Sequence, residues 1–343
     1  MKSITFLLLI LSILTSCAKK NDHKLIVERL KYTNELKSII SKKIWKGFDA
    51  EIRETPIVYF SNNSSYILNP NKELIEVIRL KLVYSSLGMN LYKTIKRLDN
   101  IPFHMETSNT ISFQGFKEIE HPISLCSSLE DTKKYVPTTN STEYWLTMLL
   151  HENFHGFQYN HKNYLANILT KISTISEDSL AKIYSNKQWF IKSIEQENNL
   201  LLKAIASKDL KKIKKIITTY FVFKNKRLQK MKSVYNQDIK VIEAIYETME
   251  GTARYVEYQL QITFSTMSPN QSLLQTDRFY KGFKEFKNYK IRQDPWLYTC
   301  SNRYFYATGF NILRLLDKLH IKYKSRLFKE PKLTLSELLE ENS

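Results

Sequence analysis

The sequence predicts an α+β fold, in which a small, mostly antiparallel sheet near the N-terminus precedes a large helical region. Short β-branched and aromatic runs, separated by Asn, Ser and Pro residues typical of turns, predict the sheet over about 55–125. No proline lies between Pro137 and Pro269, and this stretch contains only two of the chain's seven glycines. Because helix interiors tolerate neither residue well, we expect about 138–343 to be mostly helical.

Individual elements follow from shorter patterns. Four runs in the sheet region predict strands, at 56–61, 65–68, 79–84 and 110–113. Apolar residues at helical spacing within 24–50 predict a leading amphipathic helix, and about 160–235 is expected to be a helical insert. No linker separates independent parts, so 51–343 is predicted to be a single domain.

The N-terminus has the pattern of an export signal. Residues 1–16 combine Lys2 with an apolar run over 4–14 that is too short to span a bilayer, which is typical of a secretory signal peptide. Leu-Thr-Ser-Cys at 14–17 resembles a bacterial lipobox, which implies lipidation of Cys17 and anchoring in the cell envelope, on the periplasmic or outer-surface face. Residues 17–50 would then form a tether and the leading helix.

Composition excludes several functional classes. The seven glycines are too far apart for a GxGxxG or GxxxxGK[ST] loop, so phosphate-cradling loops are absent. The net charge is +18, but its densest cluster, within 208–215, has the spacing of a solvated helix face and no nucleic-acid motif accompanies it. We therefore expect no nucleic-acid partner. Cys126 and Cys300 remain after Cys17, and the sequence leaves open whether they form a disulfide.

The strongest motif is His-Glu-Asn-Phe-His at 151–155. It follows a run of N-capping residue types at 138–142 and an apolar segment, so we expect it on a buried helix. His151 and His155 are then one turn apart on one face, where two imidazoles can bind one Zn²⁺ with Glu152 beside it.

A catalytic zinc bound by two histidines needs a third protein ligand. Acidic residues at helical spacing over 243–257 supply candidates. Gly251 and Ala253 beside Glu250 carry little side-chain bulk, so we expect this helix to lie close against the zinc helix there. Spacing alone leaves Glu247 and Glu250 open.

The motif HENFH followed by EGTARYVE resembles the gluzincin (thermolysin-like) zinc metallopeptidases, most closely their aminopeptidase N branch. The resemblance implies a zincin-like catalytic region with Glu250 as the third ligand and Glu257 orienting a histidine ligand. It also implies that the tyrosine of Tyr-Ala-Thr-Gly, Tyr306, stabilises the oxyanion, with Tyr304 and Tyr255 as alternatives. It covers about 150–320 and lacks the Gly-Ala-Met-Glu-Asn element, so it does not extend to aminopeptidase specificity. Gly156, Gly251 and Gly309 fall within the three catalytic elements that it implies, which predicts that backbones crowd together at these positions.

The function implied is zinc-dependent hydrolysis of a peptide or protein substrate by a lipid-anchored enzyme with one Zn²⁺ and Glu152 as the base. The strand expected near 110–117 would bind substrate by β-addition. Two alternatives remain: a lipid-anchored binding protein with a non-catalytic zinc site, and a basic surface lipoprotein that docks acidic polymers. The sequence predicts neither the particular substrate nor the oligomeric state.

Overall fold

The structure is a computed structural model that describes residues 2–50, 54–86 and 88–343, with side chains from Asp22 onward except Gln293. The chain divides into two compact units, one made of residues 1–156 and 260–288 and the other of residues 157–259 and 289–343. The α+β class predicted from the sequence is confirmed, because a six-stranded mixed sheet near the N-terminus accompanies a helical majority.

The first unit contains the sheet. Its strands are β1 (Ile57–Phe60), β2 (Ser65–Leu68), β3 (Leu80–Ser86), β4 (Met89–Thr94), β5 (Met105–Ser108) and β6 (Ile123–Ser127). Their order across the sheet is β3-β4-β2-β1-β6-β5. Only β1 and β6 pair in parallel, with Tyr59 opposite Cys126, so the sheet is mostly antiparallel as expected.

The sequence placed three of these strands and misplaced a fourth. The runs at 56–61, 65–68 and 79–84 correspond to β1, β2 and β3. The strand expected at 110–113 is wrong, since Ile111 makes only an isolated bridge to Ile119. The strand in this region is β5, where Met105 pairs with Cys126 of β6. Its polar sequence, Met-Glu-Thr-Ser, gave no hydrophobic pattern, and pairing with β6 determines its structure.

The helices of the first unit include α1 (Lys2–Lys43), α2 (Lys72–Val77) and α3 (Leu129–Tyr135). The predicted leading helix is present in α1, which buries Ile26, Leu30, Leu36 and Ile40 at helical spacing. Cys17 lies in the part of α1 whose side chains are not described. Among the described residues, no helix has the length and apolar character needed to cross a bilayer.

Helices dominate the chain after residue 138, as the scarcity of proline and glycine predicted. They are α4 (Thr142–Tyr159), α5 (Lys162–Ile172), α6 (Glu177–Asn186), α7 (Gln188–Ala206), α8 (Leu210–Tyr235), α9 (Lys240–Thr266), α10 (Gln271–Thr276), α11 (Phe305–Lys318) and α12 (Leu335–Glu341). Single 3-10 turns occupy Lys284–Phe286, Ile291–Gln293 and Pro295–Leu297. Helices α5 to α8 fill the segment 160–235, where the sequence predicted a helical insert.

The two described cysteines are free thiols. Cys126 is buried in β6, where burial raises the pKa of its thiol and favours a packing role. Cys300 is exposed. The disulfide that the sequence left open is therefore not formed in this structure.

Candidate metal centre

The helix α4 carries the HENFH motif and begins where the capping residues predicted. Its first turn is fixed by Ser141, whose Oγ accepts the Tyr144 N–H at 3.4 Å, and by Thr142, whose hydroxyl donates to Asp277 at 2.7 Å. Asp277 also accepts a hydrogen bond from the buried guanidinium of Arg29 at 2.7 Å. The start of α4 is thus tied to α1 within the first unit.

The middle of the motif is bonded to the sheet. The Asn153 amide donates to the Thr55 carbonyl and to Ser124 Oγ, both at 3.1 Å. The Thr107 hydroxyl of β5 donates to the Glu152 carbonyl at 2.5 Å. These bonds orient Glu152, which is half-buried, by holding its backbone against β5 and β6.

The two histidines meet as the i, i+4 spacing predicted. The Nε2 atoms of His151 and His155 are 3.1 Å apart, and their side chains are 5% and 6% exposed. Two nitrogens that each lie about 2.1 Å from one tetrahedral zinc are separated by roughly 3.4 Å. The pair is therefore close to the spacing that a shared metal ion requires.

A third donor comes from α9. His151, His155 and Glu250 each offer one ligand atom, and these atoms all lie within 4.8 Å of one another. Glu250 is also buried, with 5% of its surface exposed. The Gln158 amide holds the turn of α9 around Glu250 in place, because it donates to the Met249 carbonyl at 3.0 Å and to the Thr252 hydroxyl at 2.7 Å. The last turn of α4 is thereby bonded to the turn of α9 that carries Glu250.

This donor set fits zinc. Two neutral imidazoles and one carboxylate are the ligands of a well-known type of catalytic zinc site, which leaves a fourth position for water or substrate. The three side chains are buried, so metal binding would offset the cost of keeping a carboxylate away from water. Among the described residues, no other group of three or more His, Cys, Asp or Glu side chains has the required proximity.

The structure separates Glu250 from the other acidic residues of α9. Glu243 binds Arg227 through two bonds of 2.8 Å and accepts the Tyr304 hydroxyl at 2.6 Å. Burial alone would raise the pKa of Glu243, but Arg227 and Lys224 outweigh it and lower this pKa to about 2. Glu247 binds Lys224 at 2.6 Å. Both carboxylates are therefore engaged in a separate buried charge network.

Two of the three predicted glycine contacts lie between α9 and α11. A Cβ added at Gly251 would be 2.5 Å from the Gly309 carbonyl carbon, and one added at Gly309 would overlap the Glu247 carbonyl oxygen. The third glycine, Gly156, faces Thr55, whose side chain a Cβ would overlap. Backbone crowding is therefore present at Gly251 and Gly309, whereas the neighbour of Gly156 is a side chain. The expectation that Gly251 lies against the zinc helix is wrong, because the backbone that it faces belongs to α11.

The tyrosines differ in their partners. Tyr304 donates to Glu243, and Tyr255 donates to Asp317 at 2.6 Å, so the hydroxyls of both alternatives are bonded to carboxylates. Tyr306 is half-buried at the start of α11, with its ring 5.6 Å from that of Trp296. Its role in oxyanion stabilisation stays a prediction.

The structure also identifies neighbours that the sequence did not. Glu257 forms an ion pair with Arg254 on the same helix. Its predicted role in orienting a histidine ligand stays a prediction. Arg254 is buried under the Trp296 ring and bonded to both oxygens of Asp294 at 3.1 Å. Burial lowers the pKa of Arg254 to about 10, against the effect of Asp294. No local pattern marked Asp294 or Trp296, because they follow Arg254 by about forty residues and meet it only in the fold.

In comparisons with known proteins, no family model, no curated protein and no solved structure matches this chain. What the chain does is therefore inferred from the side chains that meet at this centre.

Proposed function

We propose that this chain is a zinc-dependent metallopeptidase that holds one Zn²⁺ with His151, His155 and Glu250. The observation that supports the proposal is the proximity of three buried ligand atoms within 4.8 Å of one another. Glu152 follows the first ligand directly, and its backbone is bonded to the sheet. Metal-assisted peptide hydrolysis needs two histidine ligands, a carboxylate as the third ligand, and a base beside them, and these four residues supply that set.

When bound, Zn²⁺ would lower the pKa of a coordinated water and polarise the scissile carbonyl. The Glu152 carboxylate accepts a proton from the attacking water as the new C–O bond forms. It then delivers this proton to the leaving nitrogen as the C–N bond breaks, and transfer of the second water proton to the amine leaves a carboxylate and an ammonium group. The Tyr306 hydroxyl donates a hydrogen bond to the oxygen that becomes negative in the transition state.

Substrate binding is proposed at β5 rather than at 110–117. β5 lies at one end of the strand order and pairs with β6 on one side. An extended peptide can add to the other edge of such a strand through main-chain hydrogen bonds. Thr107 of β5 bonds the Glu152 carbonyl, so a substrate aligned on β5 would run past the base.

We further propose that the chain acts in the cell envelope, anchored through a lipid on Cys17. This part of the proposal is supported by the lipobox pattern at 14–17, which follows an apolar signal segment. Two or more acyl chains would give stable membrane residence. Its substrates would then be peptides or proteins that reach the same compartment.

The experiment is digestion of a peptide library by wild type, with and without a chelator, with cleavage positions assigned by mass spectrometry. We expect the wild type to cleave and the chelator to stop cleavage. Glu152→Gln should retain one zinc per chain but lose about 10²- to 10⁴-fold in rate, because only the base is removed.

A matched variant is Glu76→Gln, which changes an exposed carboxylate on α2 whose ion-pair partner, Lys72, is also exposed. It should keep wild-type cleavage. A Glu152→Gln protein that still cleaves would contradict the assignment of the base. A wild-type protein that binds zinc and cleaves nothing would instead support a binding protein with a non-catalytic zinc site.

A further inference from the structure

The helix α8 has an unusual charge composition. It carries nine basic side chains and no acidic one over its 26 residues. Two of the nine, Lys224 and Arg227, are buried, and the other seven are exposed. The exposed set, here called the α8 lysine face, consists of Lys211, Lys212, Lys214, Lys215, Lys226, Lys230 and Lys232.

The buried cations of α8 have acidic partners. Lys224 binds Glu247 at 2.6 Å, and Arg227 binds Glu197 at 2.7 Å and Glu243 at 2.8 Å. These carboxylates come from α7 and α9, so acidic residues of the neighbouring helices neutralise the two buried basic side chains of α8. Desolvated cations require such partners.

The α8 lysine face has almost no such compensation. Of its seven lysines, Lys232 pairs with Asp238 at 2.8 Å, and the other six form no ion pair within the described part of the chain. At 100° per residue the seven lysines fall within an arc of about 160°, along a helix about 39 Å long. Only neutral residues lie among them on this arc, including Val222, which is 60% exposed.

We propose that the α8 lysine face docks on an anionic phospholipid surface. The lysines form two groups on this face, at 211–215 and 226–232, and most of them have no acidic partner. Phosphate-bearing headgroups in a plane complement such a face, and clusters of four to eight basic residues on a helix bind such surfaces. Lysine stems can reach the headgroup level from both sides of the arc, with Val222 near its centre.

The same features disfavour a nucleic-acid partner. The only arginine of α8, Arg227, is buried, so the face has no guanidinium for bidentate contact with bases or phosphates. No exposed aromatic side chain precedes Tyr235 on the helix, so bases would find no stacking platform. Docking on lipid is independent of the metal site, and it would add a second membrane signal to an acyl anchor.

The test is flotation of the full chain with vesicles of phosphatidylglycerol and phosphatidylcholine, compared with vesicles of phosphatidylcholine alone. The difference in binding between the two kinds of vesicle measures the effect of headgroup charge, because an acyl anchor would insert into either kind. We expect tighter binding to the anionic vesicles, weakened by salt. The quadruple variant K211Q/K214Q/K215Q/K226Q should lose at least about tenfold of this preference.

The matched control is K43Q/K117Q/K284Q/K287Q, which removes the same charge from exposed lysines outside α8. It should bind within about twofold of wild type. Equal binding by the α8 variant and wild type would overturn the proposal, as would an equal loss in the control variant. Wild-type binding to DNA without any preference for anionic vesicles would overturn it in favour of nucleic acid. Circular dichroism and thermal unfolding verify that both variants are folded.

Discussion

At the scale of single residues, the partners of each carboxylate on α9 determine its role. Glu243 and Glu247 are paired with Arg227 and Lys224, whereas Glu250 lies with the two histidines of α4. The sequence placed these acidic residues on one helix face but could not choose between Glu247 and Glu250. The choice depends on Lys224, which lies far away in sequence and approaches only through the packing of α8.

His104 illustrates a second residue whose state follows from its partners. Its Nε2 lies 3.1 Å from Asp99 and its Nδ1 lies 3.2 Å from Glu106, so both ring nitrogens face carboxylates. Burial alone would lower the pKa of His104, but the bonds to Glu106 and Asp99 outweigh it and raise this pKa above 6.5. His104 in turn lowers the pKa of Glu106. His104 directly precedes β5 and bonds to Glu106 of that strand, so the protonated imidazole stabilises the start of β5.

A raised pKa in the folded state means that the stabilisation is complete below the unfolded value of 6.5 and is lost as pH rises through the folded pKa. We therefore expect the free energy of unfolding in urea to fall as the pH rises above about 6.5. His104→Gln should flatten this dependence, whereas His121→Gln, which removes a histidine bonded to a carbonyl, should keep it. An unchanged slope in His104→Gln would contradict the assignment.

At the scale of elements, α9 and α11 come into contact through glycines. Gly309 faces the Glu247 carbonyl and Gly251 faces the backbone of Gly309. The sequence indicated a close helix approach at Gly251, because glycine is rare in the chain, but it indicated the zinc helix rather than α11 as the neighbour. It could not indicate that Gly251 and Gly309 face each other, since helix crossing points depend on the packing of all neighbours.

Gly309→Ala should be strongly destabilising, because its Cβ would overlap backbone that cannot move away as a side chain could. We expect a loss of about 1–3 kcal/mol or more in the free energy of unfolding, measured by urea denaturation. Ala166→Gly, at an exposed position inside α5, should cost about 0.5–1 kcal/mol through helix propensity alone. A Gly309→Ala protein as stable as wild type would contradict the close packing of α11 on α9.

The strands were harder to predict than the helices for a physical reason. Helices α4 to α9 are signalled by local composition, namely the scarcity of proline and glycine between Pro137 and Pro269. β5 has no local signal, and its structure follows from pairing with β6. Strands at a sheet edge depend on a neighbour that lies elsewhere in sequence, so their positions emerge only in the folded chain.

At the scale of the whole molecule, the α+β class and the helical character of 160–235 were predictable, because both depend on long compositional trends. The pair His151 and His155 was also predictable, since helix geometry alone brings the two together. The buried network of Lys224, Arg227 and their carboxylates was not, since it joins three helices whose packing no local pattern specifies.

The zinc affinity of the intact chain, measured by competition with a chelator of known affinity, tests the central claim most directly. Wild type should bind one zinc per chain. Glu250→Gln should weaken this affinity by more than the roughly 10- to 100-fold typical of residues that only orient ligands. Glu247→Gln should keep wild-type affinity in its folded fraction. Unchanged affinity in Glu250→Gln, or loss of zinc only in Glu247→Gln, would contradict a centre built from His151, His155 and Glu250.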